Sequence, residues 1–172
     1  DPNAFRHSAL MAKEENIVNE STVKKSKDGS MIFSDFKAEA KEWRPDVIMG
    51  SATESTFLFA RDLFQSVRNL NIPHVLGGVF ATFAPEVAVG YPEIDIVCNG
   101  EGEHIIVPLS IKLKRKEDLS TLQNIWFKDT TGNVVKTPVG SPVNLDENPP
   151  FDASIYDDDR FYRTMGGVMY RM

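Results

Sequence analysis

Cysteine is almost missing from this chain of 172 residues, where Cys98 stands alone. A single cysteine excludes an internal disulfide framework, a multi-cysteine zinc site and an iron–sulfur cluster held by this chain's own cysteines. No apolar run approaches the roughly 18–20 residues of a membrane-spanning helix, and no secretory signal pattern is read at the start, so a reducing cytoplasm is the expected compartment. A basic excess is missing too: 25 acidic against 19 basic side chains give a net charge of −6. Residues 144–159 alone hold six of those acids and no base, and the remainder balances. Neither nucleic acid nor an anionic membrane is therefore an expected partner, and the clusters Lys24, Lys25, Lys27 and Lys112, Lys114, Arg115, Lys116 read as solvated faces. What is present, 41% apolar and 26% charged residues, is the composition of a compact globular domain with enough chain for a core. The chain opens on Asp1-Pro2 without Met and stops a few residues past Gly166-Gly167, as expected of a piece of a longer protein.

Hydrophobic patterning predicts a helix over 4–15, a short strand at 17–19 and a polar loop over 20–30. A second helix is expected at 34–43, with Ser34 as its cap and Phe36, Ala40 and Trp43 on one stripe, closed by Pro45. The run 46–52 (DVIMGSA) is continuously apolar, too short for a helix, and suits a strand covered on both faces. Helix 54–70, strand 73–78, a short helix beginning at 85–89 and strand 94–98 follow. Strand and helix alternating in this way imply right-handed crossovers and a parallel sheet. Helix 103–116 comes next, with Pro108 placed in its first turn or kinking it. Ile125–Phe127 and Val134–Lys136 around Asp129–Asn133 read as a β-hairpin outside the parallel unit. Beyond Thr137, Pro138, Pro142, Pro149 and Pro150 interrupt any regular element, and the stretch reads as a linker draped over a surface.

Ligands of open parallel α/β sheets bind beyond the carboxyl ends of the strands. Three short loops stand there: Gly50-Ser51-Ala52-Thr53, Gly77-Gly78-Val79-Phe80-Ala81-Thr82 and Gly100-Glu101-Gly102-Glu103. Glycines at neighbouring strand ends let a ligand ring or backbone approach closely. Each loop also has a plain structural reading. Ser51-Ala-Thr-Glu54 is a capping-box pattern, and Thr53 could cap the same helix. Gly77-Gly78 could be a turn only, and Glu101 and Glu103 suit a helix start by charge alone. A dinucleotide fingerprint and a P-loop are both missing. Cys98, inside a strand, reads as a small buried hydrophobe rather than a thiolate. His7, His74 and His104 read as structural, and Asp157-Asp158-Asp159 lacks the alternation of a calcium loop. The residues nominate no catalytic group and no metal ligand.

Taken in order, RPDVIMGSATEST, PHVLGGVFATFAPE and IDIVCNGEGEHIIVPL resemble the cobalamin-binding domain that precedes the barrel of cobalamin-dependent radical S-adenosylmethionine enzymes. The continuation, NIWFKDTTGNVVKTP and then NLDENPPFDASIYDDD, is similar to the hairpin and linker that lead from that domain to the barrel. The resemblance covers about residues 35–160. It implies a flavodoxin-like (Rossmann-like) α/β sheet, helices on both faces, carrying cobalamin across its carboxyl edge. It further implies cofactor contacts for Ser51 and Thr53 near the base of the nucleotide tail and for Gly77 and Gly78 beside it. Gly100, Glu101 and Gly102 correspond to a turn at the rim. In this topology Ser51 ends the third strand, at the switch point between strands one and three.

Two departures accompany the resemblance. The Asp-x-His-x-x-Gly motif that supplies a lower cobalt ligand in related methionine synthases is missing, since His7 sits in Phe5-Arg6-His7-Ser8-Ala9-Leu10. If residues 5–15 form the first helix, the first strand belongs before Asp1. The implied organisation is a cobalamin-binding-like domain over 1–120, a hairpin extension over 121–137 and a linker over 138–172 toward a radical S-adenosylmethionine barrel. That barrel would hold a 4Fe–4S cluster and S-adenosylmethionine, its cysteine triad lying beyond Met172. The complete enzyme would then perform methyl transfer or oxidative cyclisation, on a tetrapyrrole ester among other candidates, with the present segment inactive alone. Two alternatives share the topology: a degenerate docking or regulatory module without cobalamin, and a receiver or flavin carrier.

Overall fold

The computed structural model describes residues 31–150, 152–156, 161–165 and 168–171. The helix, strand and loop expected over 4–30 lie outside the described residues. The chain forms two compact units, one of residues Phe33–Asn148 and one of residues 1–32 with 149–172.

The larger unit runs α1 (Ile32–Trp43), β1 (Ile48–Ser51), α2 (Glu54–Val67), β2 (His74–Gly77), α3 (Val79–Phe83), α4 (Pro85–Gly90), β3 (Ile96–Cys98), α5 (Glu103–Arg115), β4 (Ile125–Lys128) and β5 (Val134–Lys136). One five-stranded sheet has the order β1-β2-β3-β4-β5. The first three strands are parallel, with Ser51 opposite Gly77 and Leu76 opposite Val97. β4 runs antiparallel to β3 and β5 antiparallel to β4. The expected α/β architecture is therefore present. The hairpin, expected outside the parallel unit, instead continues the sheet through Cys98 and Ile125.

Strand alternation sorts the sheet residues onto two faces. Leu76 and Val97 pack on one face with Phe57 and Phe64 of α2, Ala81 of α3 and Ala88 and Val89 of α4. Val75, Ile96 and Ile125 pack on the other with Ile105 and Leu109 of α5. Helices thus cover both faces, which is why the strands read as continuous apolar runs rather than as alternating ones. Leu76 is fully buried, and its truncation to alanine costs about 2–5 kcal/mol. Aromatic contacts tie the first face together: Phe57 stacks on Phe80 at 4.1 Å and meets the Tyr91 ring edge-on at 5.1 Å. At the amino ends of the strands, Arg68 donates to both oxygens of Asp95 at 2.7 and 2.8 Å, and Asp95 also accepts from the His74 backbone N–H.

Several elements differ from the sequence reading. α2 stops at Val67 because Arg68–Leu70 tighten into a 3₁₀ turn, which Asn71 ends in the left-handed region. α1 begins at Ile32, ahead of Ser34. Pro108 lies in the second turn of α5, so His104's carbonyl has no helical N–H to accept. α3, read as loop from sequence, is a single helical turn begun at Gly78.

In the smaller unit, Asp152 caps a 3₁₀ turn at Ala153–Ile155 by accepting from the Ser154 N–H. The stretch expected to be linker also carries an antiparallel ladder, β6 (Tyr162–Met165) with β7 (Val168–Arg171), flanking Gly166-Gly167. Among the described residues no helix is long and apolar enough to cross a membrane.

Candidate functional site

β1 and β2 end side by side, so their exit loops meet. Ala52 N–H donates to the Gly77 carbonyl at 3.1 Å, and Phe80 N–H donates to the Ala52 carbonyl at 3.0 Å. Gly78 has φ +90 and presses against the first loop: a Cβ there would lie 2.6 Å from Ser51 Oγ and 2.8 Å from Ala52 N and O. Gly78 therefore does not open the room for a ligand that the sequence reading expected of it; the space of its missing side chain is filled by Ser51 and Ala52. Gly77 is different. A Cβ on Gly77 would have only Cys98 Cβ at 3.7 Å and the Gly50 carbonyl at 3.9 Å within reach among the described residues. By register, Ser51, Gly77, Cys98 and the half-exposed Met49 share one sheet face. Gly102, at the head of α5, lies over Cys98, its own Cβ position 3.8 Å from Cys98 Sγ. Gly77 and Gly102 thus both border the small Cys98 side chain, a low floor with Ser51 beside Gly77 and the exposed Ile106 against Gly102.

The hydroxyls beside this floor divide in role. The capping box belongs to Thr53, not to Ser51 with Glu54 as one sequence pattern suggested. Thr53 N–H donates to Thr56 Oγ1 at 3.0 Å, and the Thr53 hydroxyl lies 3.0 Å from Ser55 Oγ and 3.1 Å from Thr56 Oγ1. Thr53 is thereby turned onto its own helix. Ser51, two residues before the Thr53 cap, is exposed, and its hydroxyl has no hydrogen-bond partner among the described residues.

The third loop is tied in by two residues that sequence reasoning did not single out as site residues. Thr82 Oγ1 donates to the Gly78 carbonyl at 3.1 Å and accepts from Gly100 N–H at 3.2 Å, bridging the exits of β2 and β3. Asn124 is buried, and its side-chain amide donates to the Glu101 carbonyl at 3.1 Å. Its φ of +58 is one that asparagine tolerates better than most residues, and this is the signal available in the sequence just before the IWF strand. Glu101 directs its carboxylate at Val143 N–H rather than across the floor. The structure thus brings together Ser51, Gly77, Gly78 and, through Thr82, Gly100 with Glu101 and Gly102 behind it. Thr53 stands at the same edge with its hydroxyl engaged.

Electrostatics at the edge are quiet. Burial pushes the Cys98 thiol up from its ordinary value, and the Glu103 carboxylate adds to the shift, so Cys98 stays a protonated packing group. His74 is at the other end of β2, wholly buried and stacked on Phe64 at 4.8 Å, with burial lowering its pKa. Its Nδ1 lies 3.0 Å from the Glu93 carbonyl, an acceptor, so Nδ1 carries the proton and Nε2 is buried without a partner among the described residues. Among the described residues no group of three or more His, Cys, Asp or Glu side chains is placed to hold a metal ion.

Comparison with known proteins sets this geometry in a family. The family described as B12 binding domain matches residues 18–110, more than half of the chain. An uncharacterized methyltransferase of Pyrococcus horikoshii is 30% identical over 155 residues, covering 86% of this chain and 32% of that protein. The anaerobic magnesium-protoporphyrin IX monomethyl ester cyclase of Rubrivivax gelatinosus is 30% identical over 114 residues, 62% of this chain and 20% of that one. The chain thus spans a third or less of the curated relatives it matches. Among solved structures, the cobalamin-dependent S-adenosylmethionine radical enzyme OxsB superposes with a TM-score of 0.57 at 24% identity, over 68% of this chain and 17% of that chain. The radical S-adenosylmethionine methyltransferase TsrM from Kitasatospora setae gives 0.54 at 20% identity, over 62% and 21%. These two likenesses establish the shared fold. With the glycine floor at the carboxyl edge and the family match over its strands and loops, the chain belongs to the B12-binding domain family.

Proposed function

We propose that the carboxyl edge of the sheet holds cobalamin, with the nucleotide tail laid over Gly77 and Gly102 and the Ser51 hydroxyl beside it. The observation that carries this reading is the floor itself: two glycines bordering Cys98, next to an exposed hydroxyl that no described residue engages. A flat ligand can lie against such a floor, and a single free hydroxyl can donate to or accept from it. Gly78 positions Ser51, Thr53 fixes the helix start beside it, and Gly100, Glu101 and Gly102 form the outer rim. Cobalamin, once bound, would supply a cobalt centre for methyl-transfer or oxidative chemistry. This chain's residues contribute binding, orientation and shielding from water, the usual division of labour with a cofactor.

In the larger protein that the relatives suggest, a radical S-adenosylmethionine domain with a 4Fe–4S cluster would complete the reaction. The activities named for the relatives, a methyltransferase and a cyclase, support methyl transfer or oxidative cyclisation as its class. The test is direct. The protein is incubated with hydroxocobalamin, desalted, and its absorbance recorded. Retention of a stoichiometric corrinoid spectrum is expected; passage of all corrinoid into the salt fraction overturns the reading and favours a docking module that has lost the cofactor.

A further inference from the structure

Asn124 spends every polar group it has on two segments that are otherwise separate. Its backbone carbonyl accepts from Asn99 N–H at 2.8 Å and its side-chain amide donates to the Glu101 carbonyl, both on the rim loop. Its backbone N–H donates to the Pro138 carbonyl at 2.9 Å, and its side-chain oxygen accepts from Gly140 N–H at 2.6 Å, both just beyond β5. The Glu101 carboxylate closes the same circuit by accepting from Val143 N–H. Packing follows the bonds. A Cβ on Gly140 would lie 2.6 Å from Gln123 Oε1, and Val139 Cγ1 sits 3.9 Å from the Cβ position of Gly100.

Segment 138–143 has little apolar burial to hold it. Val139 is 63% exposed, and Pro138, Ser141 and Pro142 are exposed as well. It is therefore retained by hydrogen bonds at its edge, which places it among the segments that open at low free-energy cost. We propose that residues 138–143 are a releasable strap, fastened to the cobalamin rim by Asn124 and Glu101, so that strap attachment and cofactor retention strengthen each other. The proposal rests on the reading of the site given above. The coupling follows from linkage: a ligand that orders Gly100–Gly102 also orders the groups holding the strap, and drawing the strap away loosens the rim to the same degree. Asn124 and Glu101 are positioning residues here, acting through the loop rather than on cobalt.

Amide hydrogen exchange, read residue by residue with and without hydroxocobalamin, tests the proposal. Cofactor is expected to slow exchange at Gly140 and Val143 at least fivefold. Glu101→Ala should speed Val143 exchange in the cofactor-free protein and weaken hydroxocobalamin binding severalfold. Glu101→Gln, whose amide oxygen still accepts from Val143, should restore both. Native protein that binds hydroxocobalamin with no change at Gly140 and Val143, or a Glu101→Ala variant equal to native in both measurements, overturns the strap. If the native protein binds no hydroxocobalamin, the site reading fails and the coupling with it. The fastening is then judged separately: Val143 exchange unchanged by Glu101→Ala in cofactor-free protein overturns that too.

Discussion

Replacing Gly78 by alanine tests how the first two loops are joined. Gly78 has φ +90 and ψ −175, a region that residues with a side chain adopt at a cost of about 1–3 kcal/mol. The added Cβ would also stand 2.6 Å from Ser51 Oγ and 2.8 Å from both Ala52 N and Ala52 O. Ser51 can rotate away, but the Ala52 backbone is fixed by its bonds to Gly77 and Phe80, so overpacking adds about 1–3 kcal/mol. The total is about 2–6 kcal/mol, a large share of the 5–15 kcal/mol typical of a whole domain. At about 4 °C per kcal/mol for a domain of this size, Tm should fall by at least about 8 °C in a thermal melt followed by far-UV circular dichroism. A Gly78→Ala variant melting within about 2 °C of native would show that the loops are not packed as described.

Thr82→Val keeps the side-chain shape but leaves Gly100 N–H without its acceptor, so urea unfolding should show a loss of about 1–3 kcal/mol and faster amide exchange at Gly100; unchanged exchange there contradicts the bridge. Stability should also fall on the acid side through His74. Burial lowers its folded pKa below the ordinary 6.5, so the unfolded chain takes up the proton first. The stabilisation is complete above about 6.5 and declines as pH drops below it, at up to about 1.4 kcal/mol per pH unit until the lowered folded value is reached. Urea midpoints at pH 7.5 and 5.5 should therefore converge in His74→Gln relative to native, and an identical pH slope in the two proteins would remove His74 as the cause.

The sequence makes the parallel strands legible because each is a short apolar run ended by glycine, serine or asparagine, as in VIMGS, HVLGG and DIVCNG. Two-sided burial leaves no other reading of such runs once helices stand between them. α3 is hidden because VFATF offers only one turn and shows Val79 and Phe83 to solvent, so no apolar stripe exists to detect. The cap is left open by the sequence for a local reason: Ser51-Ala-Thr-Glu54 and Thr53-Glu-Ser-Thr56 compete over six residues, and only the fold decides between them. Thr82 and Asn124 are out of reach in another way. Their roles depend on partners such as Gly100, Glu101 and Gly140, which lie 16 to 23 residues away and are brought close only by the sheet. Likewise, glycine at 77 and at 78 looks the same in sequence, while one faces open floor and the other fills a contact.

That difference gives the most direct test. Gly77→Val places a side chain over the floor, its Cβ in ordinary contact with Cys98 and Gly50, in a strand that favours β-branched residues. Its thermal midpoint and its hydroxocobalamin affinity, the latter by absorbance titration, are measured beside those of the native protein. A near-native midpoint with binding weakened at least about tenfold, roughly 1.4 kcal/mol, is the expected result. Native-like cobalamin binding by a folded Gly77→Val variant would place the cofactor somewhere other than this edge.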